Sequence, residues 1–119
     1  MGTDIISVDR LRKNIEEKSA TFLSKVFTDK EILYCNSKAN PAIHFSGRFA
    51  AKEAVKKAIL SSKMMQKISM KNIEILSDNN IPVATVNLLG LRAHITLSIS
   101  HSDEFATATA ILISSNENI

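Results

Sequence analysis

The 119-residue sequence has no tryptophan, one tyrosine, one cysteine, three glycines and two prolines. A single cysteine excludes an internal disulfide framework and suits a reducing cytoplasm. Cys35 is expected as a half-buried helix residue, because no His/Cys cluster around it suggests a nucleophile or a thiolate zinc site. No apolar run approaches the ~20 residues of a membrane span. Asp4, Asp9 and Arg10 interrupt any apolar leader at the start. The five phenylalanines read as core rather than as stacking platforms between basic residues, so nucleic acid is not an expected partner. Repeats, linkers and low-complexity tracts are also missing. At this length the chain is expected to be one domain over residues 1–119.

What is present is ordinary for a globular protein: 45% hydrophobic and 23% charged residues, with a net charge of +3. The mild positive balance suits an anionic ligand or an acidic protein partner without requiring either. A chain this short buries roughly two thirds of its unfolded surface, so its core is modest and a partner subunit could extend it.

The hydrophobic pattern predicts an α+β domain, an antiparallel sheet packed on one long helix. Ile5 to Val8 reads as a strand, Asp9 as the N-cap of a short helix over Arg10 to Lys18, and Thr28 with Glu31 as a capping box opening a helix near Asp29. Asn40-Pro41 starts the longest helical pattern, which runs to about Leu60. At about 100° per residue, Ile43, Gly47, Ala50, Ala51, Ala54 and Ala58 share a small-residue face suited to close approach to a sheet. Ile73 to Leu76 and Pro82 to Leu89 flank the turn Ser77-Asp78-Asn79-Asn80, a predicted hairpin. His94 to Ser100 and Phe105 to Ile113 alternate with a period of two across Ser102-Asp103-Glu104, a second hairpin.

Three polar groups stand at ends or edges of these elements: Asp4 in the first strand, Glu53 with Lys57 one turn later on the long helix, and His101 where the third strand ends. Each has an ordinary reading. An Asp beside a strand is usually solvated, Glu53–Lys57 is a standard i, i+4 pair, and His101 can be a turn histidine. A hydrolase triad is not supported, because no nucleophile elbow accompanies Ser100 and His101. Two carboxylates with a lysine fit a hard divalent cation holding a phosphate. Spacing alone goes no further.

Three segments in order carry a resemblance: Gly2-Thr3-Asp4-Ile5, then Gly47-Arg48-Phe49-Ala50-Ala51-Lys52-Glu53-Ala54 with Lys57-Ala58, then Ser98-Ile99-Ser100-His101-Ser102. Phe27-Thr28 with Glu31, and Ile73-Glu74-Ile75, add to it. Over nearly its whole length the chain resembles the holo-acyl-carrier-protein synthases, the short phosphopantetheinyl transferases.

The resemblance implies transfer of the 4′-phosphopantetheine arm of coenzyme A to a serine of apo-acyl carrier protein, releasing adenosine 3′,5′-bisphosphate, as part of fatty acid synthesis. It implies Mg²⁺ on Asp4 and Glu53, catalysis by Glu53 and Lys57 with either Glu53 or a metal-bound water taking the serine proton, and coenzyme A contacts from Lys57, His101 and Arg48. A surface ion pair is the alternative for Arg48. It further implies docking of the acidic carrier protein on Arg10, with Arg12, Lys13 and Lys18 as neighbours by spacing, and a cytoplasmic homotrimer with sites between subunits.

The chain departs from the family pattern at two places. After Ala58 stands Ile59-Leu60-Ser61-Ser62-Lys63, where the family commonly has a Gly-Thr-Gly-like loop. Serine hydroxyls are the expected substitute for its backbone N–H groups. Fewer residues precede the Gly-x-Asp, so either an abbreviated first strand or a misassigned start site is expected. A non-catalytic basic anion-binding module and a catalytically degenerate family member stand as alternatives.

Overall fold

The computed structural model describes residues 1–87 and 93–114. In chain order these form β1 (Gly2–Ser7), α1 (Val8–Val26), α2 (Asp29–Asn36), α3 (Pro41–Ser61), a 3-10 turn at Met70–Asn72, β2 (Ile73–Asp78), β3 (Ile81–Val86), β4 (Ala93–His101) and β5 (Phe105–Ser114). The predicted α+β class holds, with two antiparallel sheets among the described residues rather than one. Strands β1-β5-β4 form a three-stranded sheet and β2-β3 a separate hairpin. Of the predicted strand ending at Leu89, Leu88 and Leu89 lie outside the described residues.

Two boundaries near the start differ from expectation. The first strand is not abbreviated: its six residues pair fully with β5, from Gly2 opposite Ala110 to Ser7 opposite Phe105. The cap of α1 is Ser7, whose Oγ accepts from the Arg10 N–H, not Asp9. Both residues can cap. Because the β1–β5 ladder holds the chain extended through Ser7, the helix starts at Val8. It then continues to Val26, eight residues past the predicted end at Lys18, because Phe22, Leu23 and Val26 find a core to pack on with Phe27 and Phe45.

The capping box at Thr28 and Glu31 forms as predicted. Helix α3 begins with Pro41 in its first turn, though Asn40 makes no side-chain cap. Its small face lies on the three-stranded sheet. Ala50, Ala51, Ala54 and Ala58 are fully buried with Ala106, Ala108 and Ala110 of β5. Small side chains on both surfaces let backbones come close. A Cβ on Gly2 would sit 2.0 Å from the Ala54 carbonyl oxygen.

A buried polar hub joins the second cluster of elements. Glu31, fully buried, accepts from the Thr28 N–H (2.8 Å), from Lys52 Nζ (2.5 Å) and from the Ile75 N–H (2.8 Å). One carboxylate thus ties α2, α3 and β2 together. Burial lowers the Lys52 ammonium below its ordinary value, and the Glu31 carboxylate works against that. Cys35 is fully buried rather than half-buried, and burial pushes its thiol up to about 12.

Candidate active site

Asp4 sits in the middle of β1, opposite Ala108 of β5, which in turn faces Ile99 of β4. Strand alternation turns Gly2, Asp4 and Ile6 toward α3. There Lys57 Nζ donates to Asp4 Oδ1 at 3.0 Å and to the Thr3 carbonyl at 3.1 Å. The i, i+4 pair expected between Glu53 and Lys57 is therefore replaced. Lys57 reaches across to the strand, because the close β1–α3 approach puts a carboxylate within its span. Glu53, half-buried, lines one cavity of about 320 Å³ with Asp4, Arg10, Asn14 and Phe49. Two carboxylates from segments far apart in sequence converge there, with a lysine on one of them.

Arg10 stands at this cavity, in the first turn of α1. Lys13 is exposed, with Nζ 3.8 Å from Asp9 Oδ2, and Arg12 is held by the same aspartate at 3.3 Å. Arg12 lines a different, mainly apolar cavity with Ile15, Leu23 and Phe45. The predicted basic row on α1 thus splits, and of the three only Arg10 borders the carboxylates.

Arg48 and His101 lie elsewhere. They line a cavity of about 200 Å³ with Tyr34, His44, Ser77 and Asn80, and it shares no residue with the first. His101 ends β4, one edge of the three-stranded sheet, whereas Asp4 lies on β1, the other edge. The helix α3 runs between them. Arg48 is not in a surface ion pair: it is 7% exposed, donates from Nη2 to Ser77 Oγ at 2.9 Å and sits 4.3 Å above the Tyr34 ring. Its Nε is buried without a partner among the described residues. A buried donor of this kind ordinarily finds an acceptor, and this one is also closed off from the cavity.

Tyr34 and His44 carry no expectation from the sequence, and Ser77 and Asn80 are expected there only as turn residues. A signal for His44 was available. It precedes Arg48 by four residues and therefore shares its helix face, while Glu53 is roughly 180° away around the same helix.

In the segment after Ala58 the serine hydroxyls bond to the local backbone. Ser61 Oγ donates to the Ala58 carbonyl (3.2 Å), and Ser62 Oγ donates to the Ile59 carbonyl (2.7 Å) and accepts from the Met64 N–H (3.3 Å). The chain leaves the helix through Lys63 at φ 64°, a left-handed position that glycine adopts without strain. The helix end keeps the geometry of a glycine stop with a lysine in it.

No group of three or more His, Cys, Asp or Glu side chains that could hold a metal gathers among the described residues. No helix among them is long and apolar enough to cross a membrane.

Comparison with known proteins bears on this arrangement. The family model of the 4′-phosphopantetheinyl transferase superfamily matches residues 1–110. The holo-[acyl-carrier-protein] synthase of Chlamydia trachomatis serovar D is 43% identical over 116 residues, covering 93% of this chain and 96% of that one. The fold matches the crystal structure of the holo-(acyl-carrier-protein) synthase of Bacillus anthracis in complex with CoA (3′,5′-ADP) at a TM-score of 0.80 and 32% identity, over 96% of this chain and 95% of that one. It also matches the Helicobacter pylori holo-[acyl-carrier-protein] synthase in complex with coenzyme A, at 0.80 and 29% identity, over 94% and 98%. A fold with Asp4, Glu53 and Lys57 gathered at one edge of its sheet, matched along almost its whole length, belongs to the holo-[acyl-carrier-protein] synthase family of phosphopantetheinyl transferases.

Proposed function

We propose that this enzyme moves the 4′-phosphopantetheine arm of coenzyme A onto a serine of an apo-acyl carrier protein in a Mg²⁺-dependent reaction that releases adenosine 3′,5′-bisphosphate. The observation that carries the reading is the convergence of Asp4, Glu53 and Lys57 from two motifs into one place. The donor set fits the metal: Mg²⁺ takes one or two carboxylates and fills its remaining positions with water and substrate phosphate oxygens. Asp4 and Glu53 would hold it, and its chemistry when bound is to neutralise charge on the diphosphate and on the departing nucleotide phosphate.

The chain's own residues supply the rest. Lys57 fixes the Asp4 carboxylate and presents an ammonium to the diphosphate. Glu53 has no lysine partner among the described residues, and it accepts the proton of the attacking serine. Arg10 at the cavity edge meets the acidic carrier protein, with Lys13 on the exposed side of the same helix. Opposite charges across such a contact raise the encounter rate and weaken with salt.

Arg48 and His101 belong to the same reaction only if two copies share one coenzyme A. The carboxylate flank of α3 in one subunit then meets the Arg48–His101 flank in the next. That arrangement is head-to-tail, a geometry that forms a ring when its rotation closes, and the ring proposed is a homotrimer. The outer face of the three-stranded sheet carries the apolar surface such a ring needs: Ile5, Ile111 and Ile113 are exposed there. The lone, buried thiol suits a cytoplasmic enzyme.

The test is mass spectrometry of an apo-acyl carrier protein after incubation with enzyme, coenzyme A and Mg²⁺. The expected gain is about 340 Da, the mass of the transferred arm, lost in Asp4→Ala and in Glu53→Ala with the fold retained. No gain with several carrier proteins, or full activity in either variant, overturns the reading.

A further inference from the structure

The first two turns of α1 hold three cations, Arg10, Arg12 and Lys13, and one acid, Asp9. On a wheel of about 100° per residue, Lys13 lies roughly 60° from Arg10, Asp9 roughly 40° beyond Lys13, and Arg12 roughly 60° beyond Asp9. The acid therefore stands between two of the cations, and it holds both. Arg12 Nη1 is 3.3 Å from Asp9 Oδ1, and Lys13 Nζ is 3.8 Å from Asp9 Oδ2. Arg10, exposed at the rim of the Asp4–Glu53 cavity, is in no ion pair among the described residues. The Asp9 side chain is 68% exposed, so both of its pairs are open to water and weak. An incoming carboxylate can take its place.

We propose that Asp9 is an intramolecular competitor at the carrier-protein face: it occupies Arg12 and Lys13 until acidic side chains of the partner displace it, and so sets how tightly that partner is held. The inference rests on the reading of α1 as the docking helix. Arg10 is then the first cation an acidic helix meets, because it alone of the three has no counter-charge on its own chain. Lys13, its neighbour on the wheel, follows by exchanging Asp9 for a partner carboxylate. The charge of Asp9 stays beside the contact and opposes it, a repulsive element built into an otherwise attractive face.

Such a restraint has a use in a transfer reaction. The product is the same acidic protein with one phosphodiester added, so a face that gripped the substrate too firmly would also retain the product. Asp9 has an ordinary role as well, since an acid in the first turn favours the positive end of the helix. The two roles predict opposite results. Loss of a purely helix-stabilising acid weakens the fold and leaves carrier affinity unimproved, whereas loss of a competitor tightens carrier binding. Glu17 lies on the same stripe as Arg10 but about 10 Å further along the axis, and it holds no cation among the described residues.

Steady-state transfer with coenzyme A, Mg²⁺ and an apo-acyl carrier protein, read by mass spectrometry, tests this. At about 50 mM salt, where screening is slight, Asp9→Asn is expected to lower KM for the carrier protein about threefold, the scale of one exposed ion pair. KM for coenzyme A should not change. The gain should vanish at about 1 M salt, where the screening length is about 3 Å, and added holo-carrier product should inhibit the variant more strongly than the unaltered enzyme. Asp9→Ser, which keeps a short polar side chain in the first turn, should behave in the same way. Asp29→Asn removes a matching exposed first-turn acid from α2 and should leave both KM values as they are. A carrier KM that is unchanged or raised in Asp9→Asn overturns the proposal. An equal fall in Asp29→Asn also overturns it, because net charge alone then explains the gain. Arg10→Glu separates the underlying reading: it should raise the carrier KM, and no change there overturns α1 as the docking helix.

Discussion

At the scale of single residues, the two buried groups that chemistry would notice first, Cys35 and Lys52, are both structural. The Cys35 thiol is fully buried and raised to about 12, so almost no thiolate exists at neutral pH. Iodoacetamide at about pH 8 is expected to leave the native protein unmodified and to label it once denatured, which mass spectrometry reads directly. Lys52 stands in the motif beside Glu53, yet its ammonium points into the core onto Glu31. Lys52→Met would strand a buried carboxylate and is expected to cost about 3–5 kcal/mol in denaturant unfolding. Glu31→Gln combined with Lys52→Met should cost less than Lys52→Met alone, because no charge is then left unpaired. The motif makes both Lys52 and Glu53 visible in the sequence, but their opposite fates depend on which side of α3 faces α2.

At the scale of elements, the close seat of β1 on α3 builds the site. Gly2→Ala would drive a methyl into the Ala54 carbonyl and the Ala58 N–H, both backbone and unable to swing aside. A loss of about 3 kcal/mol is expected in denaturant unfolding, and transfer should fall with it as Asp4 moves from Lys57. The end of the same helix carries a correctable strain. Lys63→Gly relieves a left-handed lysine at the cost of a looser unfolded chain, and a gain of roughly 0.5–1 kcal/mol is expected. Unchanged stability would mean that the φ of Lys63 carries no strain. The capping box and Pro41 were legible because both are local signals. The start of α1 was not, because Ser7 and Asp9 compete as caps and the ladder to β5, about a hundred residues away in sequence, decides between them.

At the scale of the whole molecule, the candidate site residues are divided between two flanks of one helix, and the sheet below leaves an apolar face uncovered by any described element. Ile5→Glu with Ile113→Glu puts two charges on that face. The unaltered protein is expected to sediment as the proposed trimer and the double variant as a monomer that has lost transfer while Asp4 and Glu53 remain intact. A monomeric unaltered protein with full activity would remove the need for a shared site.

The sequence by itself determined the class of fold, the capping of α2, the small face of α3 and the alternation of β5. These follow from periodicity and side-chain type, which act over a few neighbours. Only the tertiary structure decided that Lys57 turns to Asp4 and not to Glu53, that Arg48 is buried beneath Tyr34, and that the scarce aromatics and histidines — Tyr34, His44 and His101 — meet in one cavity. Those outcomes depend on where α3 sits over the sheet. That position is set by alanine packed on alanine and by a glycine that lets two backbones approach, contacts between segments whose separation in sequence carries no local signal.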